Sequence, residues 1–146
     1  MTQEAHVDPT RAAFDACKAL PRDVPINMLN LIRYRDKATY PDGHEHAGKG
    51  WNGERAYQEY GTTSGPIFRR VGGNIIWRGD FQCVVTGPER EHWDAAFIAY
   101  YPNAAAFLEM VTDPEYRIAV VNRQAAVLTS RLIRFHPGEG NNDGFA

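Results

Sequence analysis

Apolar positions along the chain change their spacing several times, and each change marks an element. From Ile26 to Tyr34 the run INMLNLIRY alternates, with Ile26, Met28, Asn30 and Ile32 on one face and Leu29 and Leu31 on the other. Both faces are apolar, which predicts a strand central in its sheet and covered on each side. Trp93 to Tyr101 reads the same way: Trp93, Ala95, Phe97, Ala99 and Tyr101 share one face, and Asp94, Ala96, Ile98 and Tyr100 the other. Between these runs, behind a cap at Asn52, Tyr57, Tyr60, Ser64, Ile67 or Phe68, and Val71 recur every three or four residues, predicting a helix with one buried stripe. Pro66 should bend that helix, Gly61 and Gly65 weaken it, and Gly72-Gly73 end it. Asn74 to Arg78 predicts a strand that kinks at Gly79-Asp80 and continues from Phe81 to Thr86, before a turn at Gly87-Pro88.

The C-terminal third repeats the scheme. Asn103 caps a helix that carries Phe107, Leu108 and Val111 and ends near Thr112. Asp113-Pro114 restarts it to about Leu128, and Leu132, Ile133 and Phe135 belong to a closing strand. Ahead of the first strand, Asp8 and Pro9 open a short helix over 8–20 with Phe14, Cys17 and Leu20 a turn apart, stopped by Pro21 and Pro25. The chain thus divides into a helical extension (1–25), one domain (26–136) and a flexible tail (137–146) with little to bury. After the extension the order is β-α-β-β-α-β, an α+β, ferredoxin-like pattern with the first and third strands in the middle and both helices on one face. Those helices shelter only one of the two apolar faces. The simplest cover for the other is the same sheet of a second chain, so a homodimer is expected.

Composition narrows the function classes. At 146 residues and 43% hydrophobic content there is room for one domain and one core. A net charge of -2 without a Lys/Arg run argues against a nucleic-acid partner. No apolar stretch reaches bilayer length and the first residues, MTQEAHVDPTR, lack a basic segment followed by an apolar one, so no membrane association and a cytoplasmic location are expected. Cys17 and Cys83 form no C-x-x-C and read as reduced thiols. No phosphate loop or dinucleotide fingerprint occurs, and Ser64 is one place late for a G-x-S-x-G elbow, so no cofactor is assigned. His44 and His46 sit in the long 36–51 loop. Two imidazoles without a located carboxylate do not make a metal site, and this loop reads as a mobile polar segment or lid.

Candidate ligand-binding residues come from polar groups in apolar company. Asn30 is the one amide on its strand face and must find a partner, either a ligand carbonyl or a neighbouring element. Trp77 and Arg78 offer an indole donor and a guanidinium fork for an aromatic acid or an enolate. Tyr57, Tyr60, Trp93, Tyr100 and Tyr101 can line a flat pocket or simply fill the core. The set is therefore Asn30, Tyr60, Trp77, Arg78, Trp93 and Tyr100, with no catalytic residue assigned.

Tyr60 to Gly73 ending in RRVGG, then IIWRG, AFLEMVTDPEYR and Arg123 with SRLIR, resembles the uncharacterised domain-of-unknown-function branch of the dimeric α+β barrel superfamily, over about residues 26–135. The resemblance implies two ferredoxin-like sheets packed face to face, each subunit with a cleft between helices and sheet. Relatives in that superfamily include cofactor-free monooxygenases of aromatic polyketides, in which an Asn orients a carbonyl or oxygen species, haem-degrading enzymes and lactone isomerases. Haem chemistry fits poorly, because residues 103–128 hold no histidine. Arg123 and Arg131 are expected to pair on the surface with Asp113, Glu115 or Glu109. The expected function is binding of a small aromatic or carboxylated molecule, with cofactor-free oxygenation or isomerisation as the catalytic form. The alternative is a non-catalytic ligand-binding or assembly protein.

Overall fold

In the computed structural model, which describes residues 5–138, eight elements follow one another: α1 (Arg11–Ala19), β1 (Ile26–Tyr34), α2 (Gly53–Arg70), β2 (Asn74–Gly79), β3 (Ala95–Tyr101), α3 (Ala104–Thr112), α4 (Pro114–Ala126) and β4 (Val127–Phe135). The strands form one antiparallel sheet in the order β2-β3-β1-β4, so the two strands with two apolar faces are the central ones. This is the ferredoxin-like, α+β arrangement expected from the element order.

Local chemistry sets most of the boundaries. The side chains of Asn52, Asn103 and Asp113 accept from the backbone N–H groups of Arg55, Ala106 and Glu115, each satisfying a donor the helix cannot. At the N-terminus the cap is Thr10, not Asp8, because its hydroxyl accepts from Ala13. Helix α2 runs continuously through Gly61, Gly65 and Pro66, and it ends where Gly72 takes a φ of 90° and the Gly73 N–H donates to the Phe68 carbonyl. Gly53 is required at the other end. A Cβ there would lie 2.3 Å from the Arg35 carbonyl oxygen and 2.7 Å from that of Ala126, where α2, β1 and the α4–β4 junction meet.

Three boundaries differ from the expectation. Strand β2 stops at Gly79 and residues 80–94 form a connection, since Phe81 to Thr86 find no neighbouring strand among the described residues. Strand β3 begins at Ala95 after a bend at Asp94, whose carboxylate accepts the Tyr34 N–H. Strand β4 begins at Val127, directly from α4.

The helices cover one face of the sheet. Ile26, Met28, Ile67, Ala99, Tyr101, Phe107, Met110 and Tyr116 form one part of the core, and Ile32, Tyr40, Ala56, Ala125, Ala126 and Val127 a second part. Register puts Leu29, Leu31, Ile98, Trp77, Ile133 and Phe135 on the opposite face. There Trp77, Ile133 and Phe135 are 49%, 41% and 51% exposed. The described part of the N-terminal extension, residues 5–25, does not seal that face. Helix α1 sends Phe14 into the helix-side core, Arg134 donates to the Cys17 and Pro21 carbonyls, and His6 lies along β4, where its carbonyl accepts from the Ser130 N–H.

The 36–51 loop is packed rather than lid-like. Ala38 and Thr39 donate to the Trp51 and Ala125 carbonyls, and the buried Tyr40 hydroxyl donates to Asn122 at 2.6 Å. His46 stacks on Trp51 at 4.4 Å, with the Arg55 guanidinium 4.0 Å from the same indole ring.

Candidate functional site

The pairing register aligns Leu132, Asn30, Phe97 and Arg78 in one row across all four strands, on the face that the helices cover. At the β2 end, the Arg78 guanidinium stands 5.6 Å from the centre of the Phe97 ring. Above the row, α2 contributes Tyr57 and Tyr60, whose rings are 5.4 Å apart, and Tyr57 also lies 5.5 Å from Tyr34 of β1. The Tyr60 hydroxyl pairs with that of Tyr116 at 2.9 Å. Tyr57 has no hydrogen-bond partner among the described residues. Burial, and after it the neighbouring Tyr60, pushes the Tyr57 phenol far above its ordinary pKa, while Arg123 and Arg78 act in the opposite sense. Tyr116 and Tyr101 are raised for the same leading reason. These phenols are neutral donors at physiological pH and cannot serve as bases.

The six candidate residues do not converge on one site. Asn30, Tyr60 and Arg78 share the helix-covered face, whereas Trp77 and Tyr100 lie on the open one. Adjacent strand residues point to opposite sides, so Trp77 and Arg78 cannot clasp the same molecule within one subunit. Trp93 also leaves the group. The bend at Asp94 reverses its alternation, and its buried ring lies 5.4 Å from the guanidinium of Arg131, a residue on the open face opposite Leu31. The Asn30 amide donates to the Met28 carbonyl of its own strand at 3.0 Å, so part of its capacity is used locally.

Among the described residues neither Arg123 nor Arg131 pairs with a surface acid. Asp113 is taken by Arg70, and Arg131 lies against Trp93. Arg123 is only 9% exposed, and its guanidinium donates to the Val7 carbonyl and the Ser130 hydroxyl. Tyr34, Tyr57, Phe97 and Arg123 are thus the residues of this region absent from the sequence-derived set. Tyr57 and Phe97 were legible as apolar-stripe positions; the burial of Arg123 depends on a contact 116 residues away.

Other features are weaker. Among the described residues no group of three or more His, Cys, Asp or Glu side chains could hold a metal ion. His44 accepts from the His46 backbone N–H, and both rings pack in the Tyr40–Trp51 cluster. A depression of about 350 Å³ between α1 and α3, lined by Phe14, Lys18, Arg22 and Leu108, and one of about 250 Å³ beside Tyr40 and Pro41 lie away from the cross-sheet row. Neither gathers the uncommitted donors found around Tyr57.

Comparison with known proteins agrees with the architecture. The chain is 49% identical to the RPA0582 protein of unknown function from Rhodopseudomonas palustris, covering 94% of this chain and 100% of that one with a TM-score of 0.86. The methylated form of that protein matches at 49% identity and a TM-score of 0.87, over 94% of this chain and 98% of that one. A dimeric protein of unknown function and ferredoxin-like fold from Bacteroides fragilis is 12% identical over 77% of this chain and 95% of its own, with a TM-score of 0.46. No curated protein matches. A family model, the domain of unknown function DUF1330, matches residues 51–134, which run from just before α2 to the penultimate residue of β4. By that match, and by near-complete coverage of a relative at 49% identity, the chain belongs to the DUF1330 family.

Proposed function

We propose that the protein is a cytoplasmic homodimer that binds a small organic molecule, aromatic or carboxylated, in the cleft between α2 and the sheet. One observation carries the binding reading. Around the Asn30–Phe97–Arg78 row, an aromatic lining is combined with two hydrogen-bond donors that no group among the described residues uses, the hydroxyl of the half-buried Tyr57 and the guanidinium of the exposed Arg78. The homodimer is supported by the apolar open face with its exposed Trp77, Ile133 and Phe135. Two free cysteines, one of them exposed, support a reducing compartment.

Binding is favoured over turnover because the phenols nearest the row are held neutral by burial and supply no base at physiological pH. Cofactor-free oxygenation or isomerisation is the catalytic form of the same reading. The test is a thermal-shift screen of small aromatic compounds, followed by oxygen-uptake and substrate-loss measurements on the hits. Expected are compounds that raise Tm for the wild type and not for Tyr57→Phe or Arg78→Met. Hits unaffected by both substitutions, or no hits, would contradict the cleft.

A further inference from the structure

We infer that this cleft selects an organic anion, a small aromatic carboxylate whose charged end is held by Arg123 and Arg78 and whose ring lies on Phe97; the inference rests on the binding reading above. Arg123 is the first ground. It is a buried cation, yet the partners of its terminal nitrogens are neutral, a carbonyl and a hydroxyl, and among the described residues no carboxylate lies within ion-pair distance. Such a cation has lost its hydration without gaining a counter-charge, and an anion beside it restores the balance. Its five N–H donors exceed the two acceptors that hold it.

Arg78, an exposed side chain at the other end of the row, also has no carboxylate partner among the described residues. The arginine–carboxylate pairs of the described residues, Arg11–Asp15, Arg55–Glu59 and Arg70–Asp113, are all elsewhere. Position is the second ground. Ser130, which anchors Arg123, faces Ile32, and the next residue on that face, Leu132, faces Asn30. Arg123 is therefore tied to the sheet about 7 Å along β4 from the row, and three strand spacings, about 14 Å, separate β4 from β2. Side chains reaching inward from both ends bring both guanidiniums close enough to act on the Tyr57 phenol, which lies over the row with its hydroxyl free to donate to the second carboxylate oxygen. A planar guanidinium matches a carboxylate in two parallel hydrogen bonds, and the aromatic lining argues against a fully hydrophilic anion such as phosphate.

Matched acids and amides test this on the full chain: benzoate against benzamide, 4-hydroxybenzoate against 4-hydroxybenzamide, with inorganic phosphate as a third probe, all by calorimetric titration. Each acid should bind roughly tenfold or more tighter than its amide, the size of a hydrogen bond to a charged group. Arg78→Gln should remove most of that preference while leaving the amide affinity nearly unchanged. Arg123→Gln should do the same if it folds; Arg78→Gln and Tyr57→Phe carry the test if it does not. Equal affinity for acid and amide would overturn the anion assignment and leave the binding reading standing. Phosphate binding as tightly as benzoate would overturn the aromatic carboxylate. Absence of binding by both members of each pair would overturn this inference together with the reading beneath it.

Discussion

On one face of β1, Ile26, Met28 and Ile32 are no more than 4% exposed under the helices. On the other face of the same strand Leu29 and Leu31 are half-buried, and around them Trp77, Ile133 and Phe135 are roughly half exposed. The two faces are similarly apolar, so hydrophobicity does not separate them; the supply of helices does. The faces also differ in their polar residues. On the covered side Asn30, Tyr57, Arg78 and Arg123 are polar groups in aromatic company, with donors to spare. On the open side the 80–94 connection brings Trp93 against Arg131 at one end, and the remaining surface is largely apolar. On the function proposed above, the covered face recognises the ligand and the open face meets another apolar surface.

Truncation at matched positions should sharpen this contrast most. Ile32→Ala removes a fully buried side chain and is expected to cost about 2–5 kcal/mol in urea unfolding, at every protein concentration. Ile133→Ala should cost under about 1 kcal/mol when the protein is dilute, and more as concentration rises and the open face is covered. Equal, concentration-independent costs would erase the distinction between the faces.

A further effect is expected from alkali. Tyr57, Tyr101 and Tyr116 all have raised pKa values, chiefly from burial, against an ordinary 10.0. Above pH 10 the unfolded chain releases phenol protons that the folded chain retains. Their contribution is therefore intact below pH 10 and lost as pH climbs past it, by up to about 1.4 kcal/mol per phenol per pH unit. Phenolate absorbance should show these three groups ionising together with unfolding. Reversible ionisation of all seven tyrosines in the folded state would contradict the burial of this cluster.

Much of this arrangement was legible in the sequence because its causes are local. Asn52, Asn103 and Asp113 are capping residues next to periodic stripes, and each caps a helix. The central strands were recognisable from having two apolar faces. What was not legible depends on distant contacts. Phe81 to Thr86 has strand-like composition but no partner strand, and the Asp94 bend, fixed by a bond to Tyr34, turns Trp93 to the other face. Trp77 and Arg78 were read as one clasp although alternation separates them. Arg123 looked like a surface charge because nothing near it in sequence announces the N-terminal arm that helps to bury it.

The division of labour between the faces is tested most directly by sedimentation equilibrium on the wild type and on Ile98→Asp, which puts a charge in the centre of the open face. The account predicts a wild-type mass twice the 16.4 kDa of the chain, and a variant of single-chain mass that keeps its fold and its ligand. A wild type of single-chain mass at all concentrations, or an Ile98→Asp variant that remains a dimer, would contradict it.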